Sequence, residues 1–413
     1  MKDLHARLGG KVNVYTLDHR GTGRSTLFDC VAAQAMTSGS PRGRDIRGTE
    51  VPSCAKDLHS KYGDLSSFSI TSAASDIASF ISDYSNGAST FVYAESYGTA
   101  LVERLMHLNP ATVGEYFMGL CGLDGDCKTH FQSANLSSAL RGLMTKIDND
   151  RNSTCASLVA NGVTTVPPSY MLRNALANLL KEANIRTLIP PVVYRLNRCS
   201  TDDVDVLTQF FAYLHSYTSY SNVDDPYFSS LVSYLIVFSE IIAPGDTYGQ
   251  TSLYCAFSKE KSAACDAFKL GNYNGNGIFY QRDGYWNKSA TLPADVSVLL
   301  LNGKLDPQTP HKYAQYMLEA LRTSKKELVT FDYAEHDIVA TPRLGDSNDP
   351  DVTCGMKLLV SYISNNGDLQ RLDKSCVGQM PAFNLTVPTN ELHNFFSTDE
   401  AYDGAFQSGL SST

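Results

Sequence analysis

The sequence predicts an α/β protein, with a mostly parallel sheet flanked by helices and interrupted by a helical insert. Three observations carry this. Four short β-branched or aromatic runs alternate with helix-patterned segments. One of them, Val296–Leu301, is apolar without a break, the pattern of a strand covered on both faces. Between about Cys121 and Asn287 the strand pattern fades and helical periodicity dominates.

Taken in chain order, the first run is Val12–Leu17, which ends in the polar loop Asp18-His19-Arg20-Gly21-Thr22-Gly23-Arg24-Ser25. A helical pattern over Ser72–Tyr84 follows. The second run, Thr90–Tyr93, passes directly into Ala94-Glu95-Ser96-Tyr97-Gly98-Thr99 and then a helix over Thr99–Leu108. The insert shows helical spacing over Met171–Glu182 and Val204–Leu214. Val296–Leu301 leads into Asn302-Gly303-Lys304-Leu305-Asp306-Pro307 and a helix over Lys312–Leu321. The fourth run, Glu327–Tyr333, ends at Ala334-Glu335-His336, and a helix over Val352–Ile363 closes the pattern. The domain reading is a sheet-bearing core over 1–120 and 288–396, a helical cap over 121–287, and a Gly/Ser-rich tail over 397–413 that should fray.

Composition narrows the function. Of 413 residues, 43% are apolar and 19% charged, which excludes a globally disordered chain. Lys plus Arg number 34 and Asp plus Glu 43, a net charge of −9 that disfavours nucleic acid and anionic membrane as partners. No apolar run reaches the roughly 18 residues of a membrane span, and the N-terminus shows no apolar signal-peptide core. The ten cysteines form no CxxC pair and are not interleaved with histidines at zinc spacing, so no metal is expected. Their even number points instead to disulfides and a secretory or extracellular location. Four glycosylation sequons, at Asn135, Asn152, Asn287 and Asn384, add little, since chance alone yields about that many.

Three strand-end positions carry the chemistry. A serine in a tight turn between strand and helix, with small neighbours, is a nucleophile presented above a sheet edge; here it is Ser96, with Ala94 and Gly98 beside it. Asp306 follows a late strand and His336 the last one. Each alone is ordinarily a turn, a cap or a solvated residue. Together, in the order Ser96, Asp306, His336, they make a nucleophile, an orienting acid and a base. Glu335, Asp337 and Asp332 are alternative acids but lie too near His336 in sequence to reach around it.

The serine turn resembles the nucleophile elbow of α/β-hydrolases, with Ala94 where that motif has its first glycine. The Asp18–Ser25 loop resembles the D-x-R-G-x-G-x-S loop after their fourth strand. With the Leu299–Pro310 stretch and Cys354, the chain from Val12 to about Pro381 is similar to prolyl- and tripeptidyl-aminopeptidase-like serine peptidases. The resemblance implies the α/β-hydrolase fold, an acyl-enzyme route on peptide substrates, and no cofactor. It implies an oxyanion donor at the Tyr97 N–H and an acidic cap residue meeting the substrate ammonium, for which Glu240 is the candidate. Glu95, before the serine, is similar to the glutamate with which serine carboxypeptidases of this fold read a substrate carboxylate, the alternative function together with esterase activity. Spacing and the resemblance favour the disulfides Cys30–Cys54, Cys255–Cys265 and Cys354–Cys376.

Two departures stand out. No H-G-G-P-G oxyanion loop precedes Val12, so the first strands of that fold are missing and the chain reads as N-terminally incomplete, or as an inactive relative. After the nucleophile helix, Gly114–Gly119 is either a short strand or the start of the cap.

Overall fold

The computed structural model describes residues 2–31, 45–84, 90–106, 125–131, 135–164, 166–219, 229–241, 251–286, 288, 290–292, 296–341, 344 and 352–410. Gly114–Gly119, Cys121 and the Asn287 sequon lie outside them. The chain divides into two compact units. The first comprises Met1–Pro110, Asn222–Pro293 and Ala320–Thr323; the second comprises Ala111–Ser221, Ala294–Glu319 and Ser324–Thr413. The segment expected as one cap over 121–287 is therefore shared between both.

The first unit is helical among its described residues. Helices span Val51–Tyr62, Ile70–Tyr84, Tyr97–Met106, Ser230–Ile236 and Thr251–Ser258, with a π-turn at Val237–Ile241. Its core joins Phe28, Leu58, Leu65 and Phe68 to Leu231, Leu235, Phe238, Phe257 and Ile278. The Cys30–Cys54 and Cys255–Cys265 disulfides close this unit, as expected. Each removes on the order of 3 kcal/mol of loop-closure entropy from the unfolded chain.

Two expected strands are absent here: Val12–Leu17 and Thr90–Tyr93 are not in a sheet. Tyr15, Leu17, Val92 and Tyr93 are exposed. A β-branched, aromatic composition favours a strand only where a neighbouring strand supplies the ladder and a face to pack on.

The second unit holds the described sheet. β1 (Val298–Gly303) and β2 (Lys326–Phe331) pair in parallel, Val298 opposite Lys326 and Gly303 opposite Phe331. The helix His311–Ala320 follows β1 and the helix Cys354–Ser364 follows β2. Thr353 caps the latter by accepting the Met356 N–H. Leu299–Leu301 are half-buried, less than an uninterrupted apolar run leads one to expect. Val329, Phe331, Leu358 and the Cys354–Cys376 disulfide form the core beneath this pair.

A helical bundle completes this unit. Leu136–Asn149, Pro168–Leu179, Ile189–Arg198 and Thr201–Ser219 bury Leu143, Leu172, Leu176, Val193, Leu196, Leu207 and Phe210. Asn135 caps the first by accepting the Ser138 N–H. Cys155–Cys199, a fourth described disulfide, ties two of its segments.

The tail expected to fray begins with a partly buried stretch over 397–402. Phe395, Phe396, Ser397, Thr398, Ala401 and Tyr402 are buried. The fully buried Arg195 donates to the carbonyls of Ala401 and Gly404, each at 2.8 Å, and pairs with Asp203. Gly/Ser-rich composition predicted mobility, but the aromatic anchors and one buried guanidinium hold the backbone.

Candidate active site

The elbow lies in the first unit. Ser96 takes φ +52°, the left-handed region that a residue with a side chain enters at a cost of about 1–3 kcal/mol. Gly98 N–H donates to the Glu95 carbonyl at 2.8 Å and Thr99 N–H to the Ser96 carbonyl at 3.0 Å, closing the turn. The helix Tyr97–Met106 begins at the next residue. A Cβ at Gly98 would stand 3.4 Å from the Ala94 Cβ, which explains why both flanks are small.

The Asp18–Ser25 loop stands beside this elbow, and each of its fixed residues has a physical task. Asp18 Oδ2 accepts the Arg24 N–H at 2.9 Å, and a Cβ on Gly23 would come within 2.7 Å of that carboxyl. Gly21, at φ +89°, leaves no room for a Cβ against Val232. Arg20 forms a two-point ion pair with Asp76, at 2.7 and 2.6 Å. His19 Nδ1 lies 2.7 Å from the Arg20 carbonyl, which can only accept. Nδ1 therefore carries the proton, and Nε2 accepts the Tyr97 hydroxyl at 3.1 Å. Burial lowers the His19 pKa, only partly opposed by that carbonyl, so the imidazole is neutral at pH 7. Burial also pushes the Tyr97 phenol up, with the Glu240 carboxylate adding to it.

The acid and base lie in the second unit, at the ends of the two paired strands. Past β1, Asp306 is buried and saturated. Its Oδ1 accepts the Gln308 and Thr309 N–H groups at 2.8 Å, and its Oδ2 accepts the Thr309 hydroxyl at 2.6 Å. His336 Nδ1 stands 2.8 Å from the same Oδ2. A carboxylate accepts, so Nδ1 is the protonated nitrogen, and Nε2 keeps its lone pair when the ring is neutral. Burial alone would raise the Asp306 carboxyl. Hydrogen bonds from His336 and Thr309 outweigh it and hold the group below its ordinary value. Asp332, one of the alternative acids, pairs with Lys304 instead.

Gly303 makes this meeting possible. A Cβ there would sit 2.1 Å from the Ala334 carbonyl oxygen, so only glycine lets the two strand-end loops touch. Leu305 N–H donates to that same carbonyl at 3.1 Å. Beyond the histidine, Asp337 turns at φ +62°, and the Thr341 hydroxyl donates to the His336 and Asp337 carbonyls at 2.7 Å.

Arg186 is a residue that sequence reasoning missed. It is buried, donates to the Tyr333 carbonyl at 2.9 Å and pairs with Glu335 at 3.3 Å, bracing the segment that bears His336. Burial raises the Glu335 carboxyl, with Arg186 opposing. Nothing in the sequence marks a partner 149 positions away.

Glu240 is a correction. It was the candidate for a substrate ammonium, yet it is only 6% exposed and already committed. Its Oε2 pairs with Arg104 at 2.6 Å, and its Oε1 accepts the Tyr280 hydroxyl at 2.6 Å and the Ile70 N–H at 3.1 Å. A carboxylate with those lone pairs engaged is not a free receptor. Glu95 is exposed beside Ser96 and accepts the Tyr93 hydroxyl at 3.2 Å.

Among the described residues no group of three or more His, Cys, Asp or Glu side chains is placed to hold a metal ion. No described helix is long and apolar enough to cross a membrane. No curated protein matches the chain. One family model does match, that of the TAP-like proteins among the α/β-hydrolases, over residues 281–376. The matched stretch contains β1, β2, Asp306, His336 and the Cys354–Cys376 disulfide. Residues 281–376 are thus similar to the TAP-like proteins of the α/β-hydrolase type.

Proposed function

We propose that the protein is a serine hydrolase that removes residues from peptide N-termini through an acyl-enzyme. The observation that carries this reading is the 2.8 Å Asp306–His336 hydrogen bond at the ends of adjacent parallel strands, inside the TAP-like region. The left-handed Ser96 elbow supports it.

In this mechanism His336 Nε2 takes the Ser96 hydroxyl proton as Oγ attacks the scissile carbonyl carbon. The carbonyl π electrons move to oxygen, where the Tyr97 N–H donates to the developing charge. One such donor contributes about 2.7–4 kcal/mol to the transition state. Collapse expels the amine, which takes the proton from His336, and water then repeats the sequence on the ester. Asp306 keeps the proton on Nδ1 and stabilises the imidazolium. The exposed Glu95 carboxylate lies beside the nucleophile, where its charge attracts an N-terminal ammonium. Four described disulfides support an extracellular or secretory location.

The test uses matched peptide amides with free and acetylated N-termini, alongside C-terminal acids and simple esters. The reading predicts hydrolysis that needs the free ammonium and is lost in Ser96→Ala. Turnover that ignores the N-terminus, or that survives in Ser96→Ala, overturns it.

A further inference from the structure

The helix that starts at the candidate nucleophile is gripped by side chains from distant segments of the first unit. Tyr97 and Arg104 are seven residues apart, two helical turns, and so share one face. His19 holds the Tyr97 hydroxyl. At the other end the Arg104 side chain, 1% exposed, pairs with Glu240 at 2.6 Å and with Asp283 at 3.0 Å. Its Nη1 also donates to the Thr71 hydroxyl. Glu240 in turn accepts the N–H of Ile70, the first residue of the neighbouring helix.

Glu240 is itself held. It lies in the π-turn Val237–Ile241, a geometry that recurs at functional sites. The Trp286 indole donates to its carbonyl at 3.0 Å, and Arg282 donates to the Ser239 carbonyl at 3.0 Å. The burial of Tyr280 against Glu240 pushes that phenol far up, so it stays a donor.

Such a cluster is a poor way to gain stability. A buried ion pair spends most of its attraction on desolvation, and apolar replacement is often neutral or better. Arg104 Nε is buried without a hydrogen-bond partner among the described residues, a further cost. What the cluster does provide is direction, because a guanidinium fork on two carboxylates admits one orientation.

We propose that Arg104 and Glu240 are positioning residues. They fix the roll of the Tyr97–Met106 helix, and with it the directions of Ser96 Oγ and the Tyr97 N–H. The proposal rests on the reading of Ser96 as nucleophile.

The test compares the wild type with the triple variant Arg104→Met/Glu240→Leu/Tyr280→Phe, which replaces the cluster by apolar groups, and with Glu240→Gln. Three quantities are measured: Tm, the rate of Ser96 labelling by a fluorophosphonate, and amide exchange over Tyr97–Thr99. The expected result is a triple variant with Tm at or above wild type that labels at least about tenfold slower, since sub-ångström misplacement is costly. Glu240→Gln should label more slowly and exchange faster at the elbow, with a lower Tm, because Arg104 stays buried with Asp283 as its remaining described counter-charge. A folded triple variant that labels at the wild-type rate overturns the proposal. If the triple variant fails to fold, wild-type labelling and exchange in Glu240→Gln overturn it. Failure of both to fold also overturns it, because the pair then serves the fold. A folded wild type that does not label defeats the hydrolase reading instead. Elbow exchange in Glu240→Gln then decides the clamp: faster supports it, unchanged overturns it.

Discussion

The serine and the acid–base pair are held in place by different means. Asp306 and His336 hang from the ends of two paired strands, and a glycine lets their loops meet backbone to backbone. Ser96 follows a segment outside the sheet, and its helix is gripped laterally by side chains, His19 on Tyr97 and Glu240 on Arg104. The contrast separates two ways of placing a reactive group. A strand end places it through ladder hydrogen bonds and tolerates little change in backbone. A side-chain clamp places it through charge and direction, and should fail in rate before it fails in stability.

The largest expected effects fall on the chemistry proposed for Ser96, Asp306 and His336. Ser96→Ala and His336→Ala should abolish hydrolysis, and Asp306→Asn should cost about 10⁴-fold in kcat, because the wrong nitrogen of His336 then carries the proton. Steady-state kinetics on free-ammonium peptide amides measure this. An Asp306→Asn enzyme within tenfold of wild type would detach the strand-end pair from the reaction.

The backbone comparison comes next. Gly303→Ala puts a methyl group 2.1 Å from the Ala334 oxygen, whereas Gly98→Ala meets the Ala94 methyl at 3.4 Å. The first should destabilise by about 3 kcal/mol or more, at or above the top of the overpacking range, and the second by well under 1 kcal/mol. Urea unfolding of both variants reads the difference. Equal midpoints would mean that the strand-end loops are less rigid than their contacts imply.

A comparable loss should follow from Arg186→Met, which leaves Glu335 buried and unpaired beside the histidine. Removing one partner of a buried pair typically costs about 3–5 kcal/mol. Arg186→Met combined with Glu335→Leu should recover most of it. No recovery in urea midpoints would show that the pair does more than neutralise itself.

The smallest effect is in pH. The Asp306 carboxyl is depressed in the folded state, so its contribution to stability is complete above the unfolded value, about 3.9, and is lost as pH falls through the lower folded value. Asp306→Asn should therefore flatten the acid side of the stability curve and leave the neutral side unchanged in shape. An unaltered acid limb would refute the sign of that shift.

Turn chemistry was the most legible part of the molecule. The need for small residues around Ser96 follows from local backbone geometry, which is written in adjacent residues, whereas the Asp18–Ser25 loop was read from its family likeness and holds Gly21 and Arg20 against the distant Val232 and Asp76. β1 and β2 were legible because each is an apolar or β-branched and aromatic run with a helix behind it. Val12–Leu17 looked the same and is not in the sheet, since a run cannot announce whether a partner strand lies beside it. Three disulfides followed from spacing and family likeness, and the fourth, between Cys155 and Cys199, had neither mark. The buried ion pairs were invisible, Arg104 with Glu240 at a separation of 136 and Arg186 with Glu335 at 149. A charged residue looks like surface until packing encloses it. Glu240 was misjudged for that reason, and the 397–402 segment because composition hides anchors such as Phe395, Phe396 and Tyr402.

The most direct test of the central claim is to map the adduct left by a fluorophosphonate on the native protein by peptide mass spectrometry. The account predicts one modified residue, Ser96, with labelling strongly slowed in Asp306→Asn and His336→Ala. An adduct on another residue, or a folded protein that takes none, would contradict it.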